Sequence, residues 1–437
     1  MERYVEELLA YLRRSPSCYH AVQASAEALA GFERLYEQDA WSLVPGGRYL
    51  VTRDQSSLIA FTLPEGPADG FRIAAAHTDS PTFKVKENAE LAVQGKYTRL
   101  DVERYGGMIM STWLDRPLSL AGRVMVRTKD GVEARLIAPD RDLVLIPSVA
   151  IHMNRTVNDG YKFDASKDTM PLWGSGATKD TFRAVIAREA GVSEADLMGT
   201  DLYLCSRTPA AVWGAREEYL SAGRLDDLEC AFSAVTAIRE AGATEGKVNV
   251  CCVLNNEEVG SLSKQGADST FLRDVLERVR DALGLAAVPM ARLLANSFML
   301  SADNAHATHP NHPEYADPVN QVWMNEGVVI KSNASQKYTT DAVSRSIFTR
   351  VCEHAGVPVQ SFANRSDMAG GSTLGNISNS HVSVNMVDIG LAQLAMHSSY
   401  ETAGVKDLAY MIDAMRTFYQ TDLHQRRDGG WQLRFMD

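Results

Sequence analysis

Three apolar runs in this chain each stop at a small cluster of charged or polar groups, and that repeated ending constrains the fold more than any single motif. Residues 71–76 (FRIAAA) run into His77-Thr78-Asp79, 248–254 (VNVCCVL) into Asn255-Asn256-Glu257-Glu258, and 298–301 (FMLS) into Ala302-Asp303. Short unbroken apolar runs are the pattern of strands buried on both faces, as in parallel sheets. Helix patterns alternate with them over 225–240, 270–283, 341–355 and 407–419, and a further strand is expected at 359–362. Such alternation predicts an α/β fold: a mixed, mostly parallel sheet with helices on both faces. Ligands of open α/β sheets gather beyond the carboxyl ends of the strands. The three endings therefore deliver acids and a histidine from distant parts of the chain to one rim.

The texture changes within the chain. Two amphipathic helices are expected at 5–13 and 20–30, and a hairpin at 48–63. Beyond about 92, alternating β-rich segments take over at 100–104, 122–127, 134–136 and 143–146, with turns at Gly106-Gly107 and Asp130-Gly131. A polar loop (154–178), a helix (181–189) and a strand (202–205) follow. We divide the chain into a discontinuous main domain, 1–92 and 208–437, and an inserted β-rich unit, 93–207. The formal net charge of −11 is spread along the sequence. Nucleic acid is therefore not expected as a partner, because phosphate binding needs a basic surface; a local basic pocket for an acidic substrate remains compatible. Charges interrupt every apolar run of the N-terminus, unlike a signal peptide, and Pro289 and Arg292 break the most apolar stretch, 284–300. No membrane association is expected. Six cysteines with no C-x-x-C pair fit a reducing, cytoplasmic compartment.

Each chemical motif has two readings. His77 and Asp79 share one side of an extended segment, so a histidine ligand oriented by a carboxylate and a simple capping loop both fit. Glu257 and Glu258 follow a buried strand directly; either they form an exposed acidic turn, or a cation neutralises one of them and leaves the other to accept a proton from bound water. Asp226-Asp227 opens a helix, which suits either dipole complementation or a carboxylate bridging two metals. Asp303, His306, His309 and His312 crowd into ten residues of a chain with ten histidines, as ligands, substrate contacts or loop caps. His397 by itself reads as a structural histidine.

Taken together, AHTDSP (76–81), IPSVAIH (146–152), RLDD (224–227), NEEVGS (256–261), DNAHATHP (303–310) and MHS (396–398) resemble the aspartyl aminopeptidase family of metallopeptidases, in its motif order and over most of the chain. The resemblance implies a zinc-exopeptidase-like fold in which the insertion serves dimerisation. It implies two zinc ions per subunit, with cobalt or manganese as possible substitutes, held by His77, Asp226, Glu258, Asp303 and His397, with Asp226 bridging. Glu257 would be general base and then acid, and Asp79 would hold His77. His152, His306, Lys331 and Tyr338 match substrate-contacting positions, His152 being offered to a neighbouring subunit. The implied activity is removal of the N-terminal residue from peptides, with preference for Asp or Glu. The implied assembly is a dimer and then a tetrahedral dodecamer. The alternatives are the same chemistry with neutral or broad preference, a two-metal deacylase or amidase, and a silent scaffold.

Overall fold

Burial on both faces fixes the centre of the molecule. In the computed structural model, which describes residues 2–435, four parallel strands lie side by side in the order Val248–Leu254, Phe71–His77, Phe298–Ala302 and Asn385–Gly390. Ser57–Thr62 and Arg48–Arg53 extend the sheet antiparallel on one side, with Glu33–Leu35 at that edge. On the other side Val328–Ser332 pairs antiparallel to Asn385–Gly390 and carries Val359–Ala363 at the far edge. Register pairs Leu254 with His77 and Ser301 with Ala75. Glu257 and Asp303 consequently emerge just past the end of the strand that carries His77.

Helices cover both faces. Leu225–Ala241, Ala342–Ala355 and Val405–Gln420 pack on one through Ala231, Val235, Phe348, Met411 and Met415. Phe271–Ala282 packs on the other through Phe271, Val275 and Val279. The segment 225–240 reads as amphipathic from sequence, but it is buried around nearly its whole circumference. The N-terminal helices and Val405–Gln420 cover its outer side, so residues such as Glu229 and Ser233 lie in the interior.

A second, six-stranded antiparallel sheet has its own core, including Phe83, Leu100, Leu120 and Ile186. It spans Thr82–Val93 through Leu197–Ser206, so its first strand opens before position 93. Residues 143–146 make only isolated bridges at Val144, Leu145 and Ile146. A third sheet of five short strands, not anticipated from the sequence, includes Ala305–His306 and Glu401–Gly404 and flanks the rim where the motifs meet. Among the described residues no helix is long and apolar enough to cross a membrane.

Candidate metal centre

His77 ends its strand fully buried, and its Nε2 faces three carboxylates: Asp226 Oδ1 at 3.5 Å, Asp303 Oδ1 at 3.9 Å and Asp227 Oδ2 at 4.0 Å. The other oxygen of Asp226 lies 3.3 Å from His397 Nε2, which is also 3.4 Å from Glu258 Oε2. One carboxylate thus presents an oxygen to each of two imidazoles. Donors held at about 2.0–2.2 Å around a tetrahedral ion sit roughly 3.4 Å apart. The 3.3–3.5 Å separations of His77 from Asp226 and of His397 from Asp226 and Glu258 have that spacing and are long for direct hydrogen bonds.

The backbone around Asp226 is built to turn this side chain inward. Asp226 and Asp227 both depart from helical dihedrals although they open the helix Leu225–Ala241. They do not cap it: the Asp226 carboxylate points to the two histidines, and Asp227 Oδ2 accepts from the His77 amide at 3.0 Å. Glu401 accepts from the amides of both Asp226 (3.1 Å) and His397 (2.7 Å), tying the two segments together. His397 adopts a left-handed conformation, φ 66°, at this constrained turn.

Asp79 joins more groups than the expected contact to His77. His77 Nδ1 lies 3.0 Å from the Asp79 carbonyl and 3.5 Å from its carboxylate. That carboxylate accepts from the amides of Glu257 and Glu258, both at 3.2 Å, and from the Tyr105 hydroxyl at 2.7 Å. Asn256, in the left-handed region that asparagine tolerates, turns the chain into a single 3-10 turn, Glu257–Val259. The two glutamates leave this turn with their amides pinned to Asp79.

The charges do not balance without a cation. Asp226, Asp227, Asp303, Glu257 and Glu258 surround His77 and His397. Buried oxygens of Asp226, Asp227 and Glu258 have no hydrogen-bond partner, a costly state for a carboxylate in the interior. Burial and then the neighbouring acids push Glu257 up to about 8, and Glu258 is raised well above its usual range by burial and Asp226. For His77, burial opposes protonation, but Asp227, Asp226, Asp303 and Asp79 together raise it well above normal. Such a donor set, all nitrogen and oxygen, suits a borderline cation such as zinc, and the orphaned oxygens fit ligands awaiting one. Three groups of donor atoms each lie within 4.8 Å of one another: His77 with Asp226, Asp227 and Asp303; His77 with Glu257 and Glu258; and Asp226 with Glu258 and His397.

A cleft opens over these residues, and Lys331, Tyr338 and His306 line it. Lys331 is buried rather than on the surface. Its Nζ donates to the carbonyls of Asp303 (2.8 Å) and Asn304 (3.3 Å) and lies 3.5 Å from the Asp303 carboxylate and 5.2 Å from the Tyr338 ring centre. Burial alone would lower the Lys331 ammonium's pKa, and Asp303, Tyr338 and Asp388 together more than offset it. Tyr338 packs edge-on to Phe362, as does His306. His152 is exposed in the stretch that follows the isolated bridge at Ile146 and does not line the cleft of its own chain. His309 and His312 pair with each other outside the cleft.

Three residues at or behind the site escaped the sequence reading, Glu401, Tyr105 and Asp388, while Asp227 is read there only together with Asp226 as opening a helix. Asp388 accepts from Thr339 and Thr373 and so fixes the walls beside Tyr338. Glu401 stands four residues after His397, within reach of a search for buried acids near a ligand. Nothing local marks Tyr105.

A family model described as aminopeptidase I zinc metalloprotease (M18) matches residues 11–419. The chain is 42% identical over 428 residues to a probable M18 family aminopeptidase 2 of Clostridium acetobutylicum, covering 95% of this chain and 98% of that protein. It is 40% identical over 425 residues to the one of Pseudomonas aeruginosa, covering 94% and 97%. Among solved structures, a chain in the complex of Ape4 and Nbr1 superposes with a TM-score of 0.92 at 35% identity, covering 96% of this chain and 85% of that one. The S. cerevesiae mApe1 dodecamer gives 0.83 at 26% identity, covering 95% and 97%.

Proposed function

Since the chain belongs to the M18 family of zinc aminopeptidases, we propose that it removes single residues, acidic ones by preference, from peptide N-termini, using two zinc ions per subunit. One observation carries the two-ion reading: the Asp226 carboxylate faces His77 with one oxygen and His397 with the other. In this reading His77 and Asp303 hold one ion, Glu258 and His397 the other, and Asp226 bridges them; cobalt or manganese would suit the same donors. When bound, the ions supply an acidified water and a polarised scissile carbonyl. Glu257 takes the water proton on its carboxylate and returns it to the leaving amine. Asp79 holds His77 and the turn that aims Glu257. Carboxylates of the rim receive the free α-amino group, which restricts cleavage to the first residue.

Lys331 and Tyr338, with His306 above them, form the wall against which we place the first side chain. Two backbone carbonyls occupy two of the three Lys331 donors. The third is left for Asp303 or for a substrate carboxylate. Zinc-dependent aminopeptidase chemistry separates this chain from the deacylase and silent-scaffold alternatives, whereas the side-chain preference rests on Lys331. Replacing it tests this directly. A Lys331→Met variant should lower kcat/KM for aspartyl and glutamyl dipeptides about 10–100-fold more than for leucyl ones, the range expected for one charged hydrogen bond. Equal losses on all three would remove the acidic assignment.

Removal of metal tests the whole reading. Chelator-treated protein should lose activity, and zinc titration should restore it with a stoichiometry of two per subunit. Restoration at one equivalent would overturn the dinuclear centre.

We further assign the flanking segments, expected at 1–92 and 208–437, as the catalytic domain, and the inserted unit, expected at 93–207 but with its sheet opening at Thr82, as the dimerisation domain. Exposed Val149, Ile151 and Met153 next to His152 support a subunit contact there that carries His152 into a neighbouring site. The related mApe1 dodecamer supports assembly of such dimers into a tetrahedral dodecamer. Six unpaired, buried cysteines support a cytoplasmic location.

A further inference from the structure

The inserted unit touches the metal centre of its own subunit. At the end of the strand Tyr97–Tyr105, the Tyr105 hydroxyl donates to Asp79 Oδ2 at 2.7 Å and accepts from Asn256 Nδ2 at 2.8 Å. Asp79 faces His77 and caps the Glu257 and Glu258 amides, and Asn256 opens their turn. One hydroxyl therefore locks two groups that together set the direction of both glutamates. The residues that follow lie against Glu258 and the segment of His397. Gly106 has φ +77°, and a Cβ there would lie 3.1 Å from Glu258 Cβ and 3.2 Å from its carbonyl oxygen, a close approach in a conformation that favours glycine. The Ile109 amide donates to the His397 carbonyl at 3.1 Å, and Thr112 Oγ1 accepts from the Ser399 amide at 3.0 Å.

We propose that residues 105–112 are a positioning element of the metal centre, acting chiefly through the Tyr105 hydroxyl on Asp79 and Asn256. The inserted unit would then serve the subunit's own catalysis as well as any contact between subunits. This inference rests on the two-zinc reading above. Partners one step behind a metal ligand typically change metal affinity or activity about 10–100-fold when removed.

The test is Tyr105→Phe in the full-length assembled protein, with Tyr203→Phe as control. Tyr203 stacks edge-on against Tyr105 at 5.4 Å, so the control removes a neighbouring hydroxyl without touching Asp79. Zinc affinity, measured by chelator competition, should weaken about 10-fold or more in Tyr105→Phe, and kcat should fall with KM nearly unchanged. The control should match the parent in both. Should Tyr105→Phe not yield assembled protein, Asn256→Gly keeps the left-handed turn while deleting the contact to Tyr105 along with the bonds its Oδ1 accepts from Ser263 and Gln265; it must show the same weakening, and a Ser263→Ala, Gln265→Ala double variant, which loses only those other bonds, must not. Parent-like zinc affinity and kcat in the Tyr105 variant, or in Asn256→Gly where that stands in for it, would overturn the proposal. Failure of the parent itself to bind zinc would instead overturn the reading beneath it.

Discussion

Replacing Glu257 with glutamine should cut kcat by about 10²–10⁴-fold, the usual span for loss of a positioned acid–base group, while leaving both equivalents of zinc in place. At the middle of that span the loss is about 4 kcal/mol of transition-state stabilisation. The separation of effects follows from geometry. Glu257 takes its direction from its backbone amide, bonded to Asp79 at 3.2 Å, and glutamine keeps that bond and the side-chain volume. Only the proton-accepting oxygen is lost. Burial first, then Asp303, Asp79 and Asp226, hold the carboxyl up to about 8, with His77 opposing; a cation nearby would return it to the ionised form that a base requires. Metal content and steady-state kinetics on one dipeptide check both halves. Unchanged turnover would remove Glu257 from the proton-transfer role. Loss of one zinc equivalent would make it a ligand instead, consistent with its lying in one donor group with His77 and Glu258.

What could be read from the sequence was whatever is decided locally. The runs ending at His77, Glu257 and Asp303 announce themselves because strand burial and the abrupt change to polar residues occur within a few positions. The strand Val328–Ser332 was harder: it is short and carries Lys331, a residue type normally solvated. That lysine is buried because the Asp303 carbonyl and carboxylate await it 28 residues earlier in the chain. Asp388 hides for the same reason, since a fully buried aspartate in the strand Asn385–Gly390 looks like a turn until Thr339 and Thr373 are seen to satisfy it. Tyr105 is the extreme case. Its partner Asp79 lies across a boundary between two sheets, and no periodicity reports a contact of that kind. Asp226 sits between these cases: its position opening a helix is legible, but the turn that swings its carboxylate into the site is set by tertiary contacts to Glu401, Ser80 and His77.

Substituting that aspartate should have a different outcome from substituting Glu257. Asp226→Asn is expected to hold at most one zinc equivalent and to show no measurable peptidase activity. The backbone anchors survive, because the amide is held by Glu401 at 3.1 Å and the carbonyl by the Ser80 hydroxyl at 2.7 Å. What disappears is one of two anionic oxygens that each face a histidine; the carboxamide offers one neutral oxygen and one NH₂ donor, and the donor end cannot bind a cation. Folding stability supplies an independent readout. A ligand that binds only the native state adds about 4.1 kcal/mol at 1,000-fold excess over its Kd. The parent should thus show a clear rise in Tm when zinc is added to the chelated protein, and most of that rise should vanish in the variant. A variant with two equivalents and the full rise would mean that the Asp226 carboxylate bridges nothing. The two substitutions divide the centre by function: one leaves both ions and loses the proton acceptor, the other leaves the proton acceptor and loses at least one of the ions.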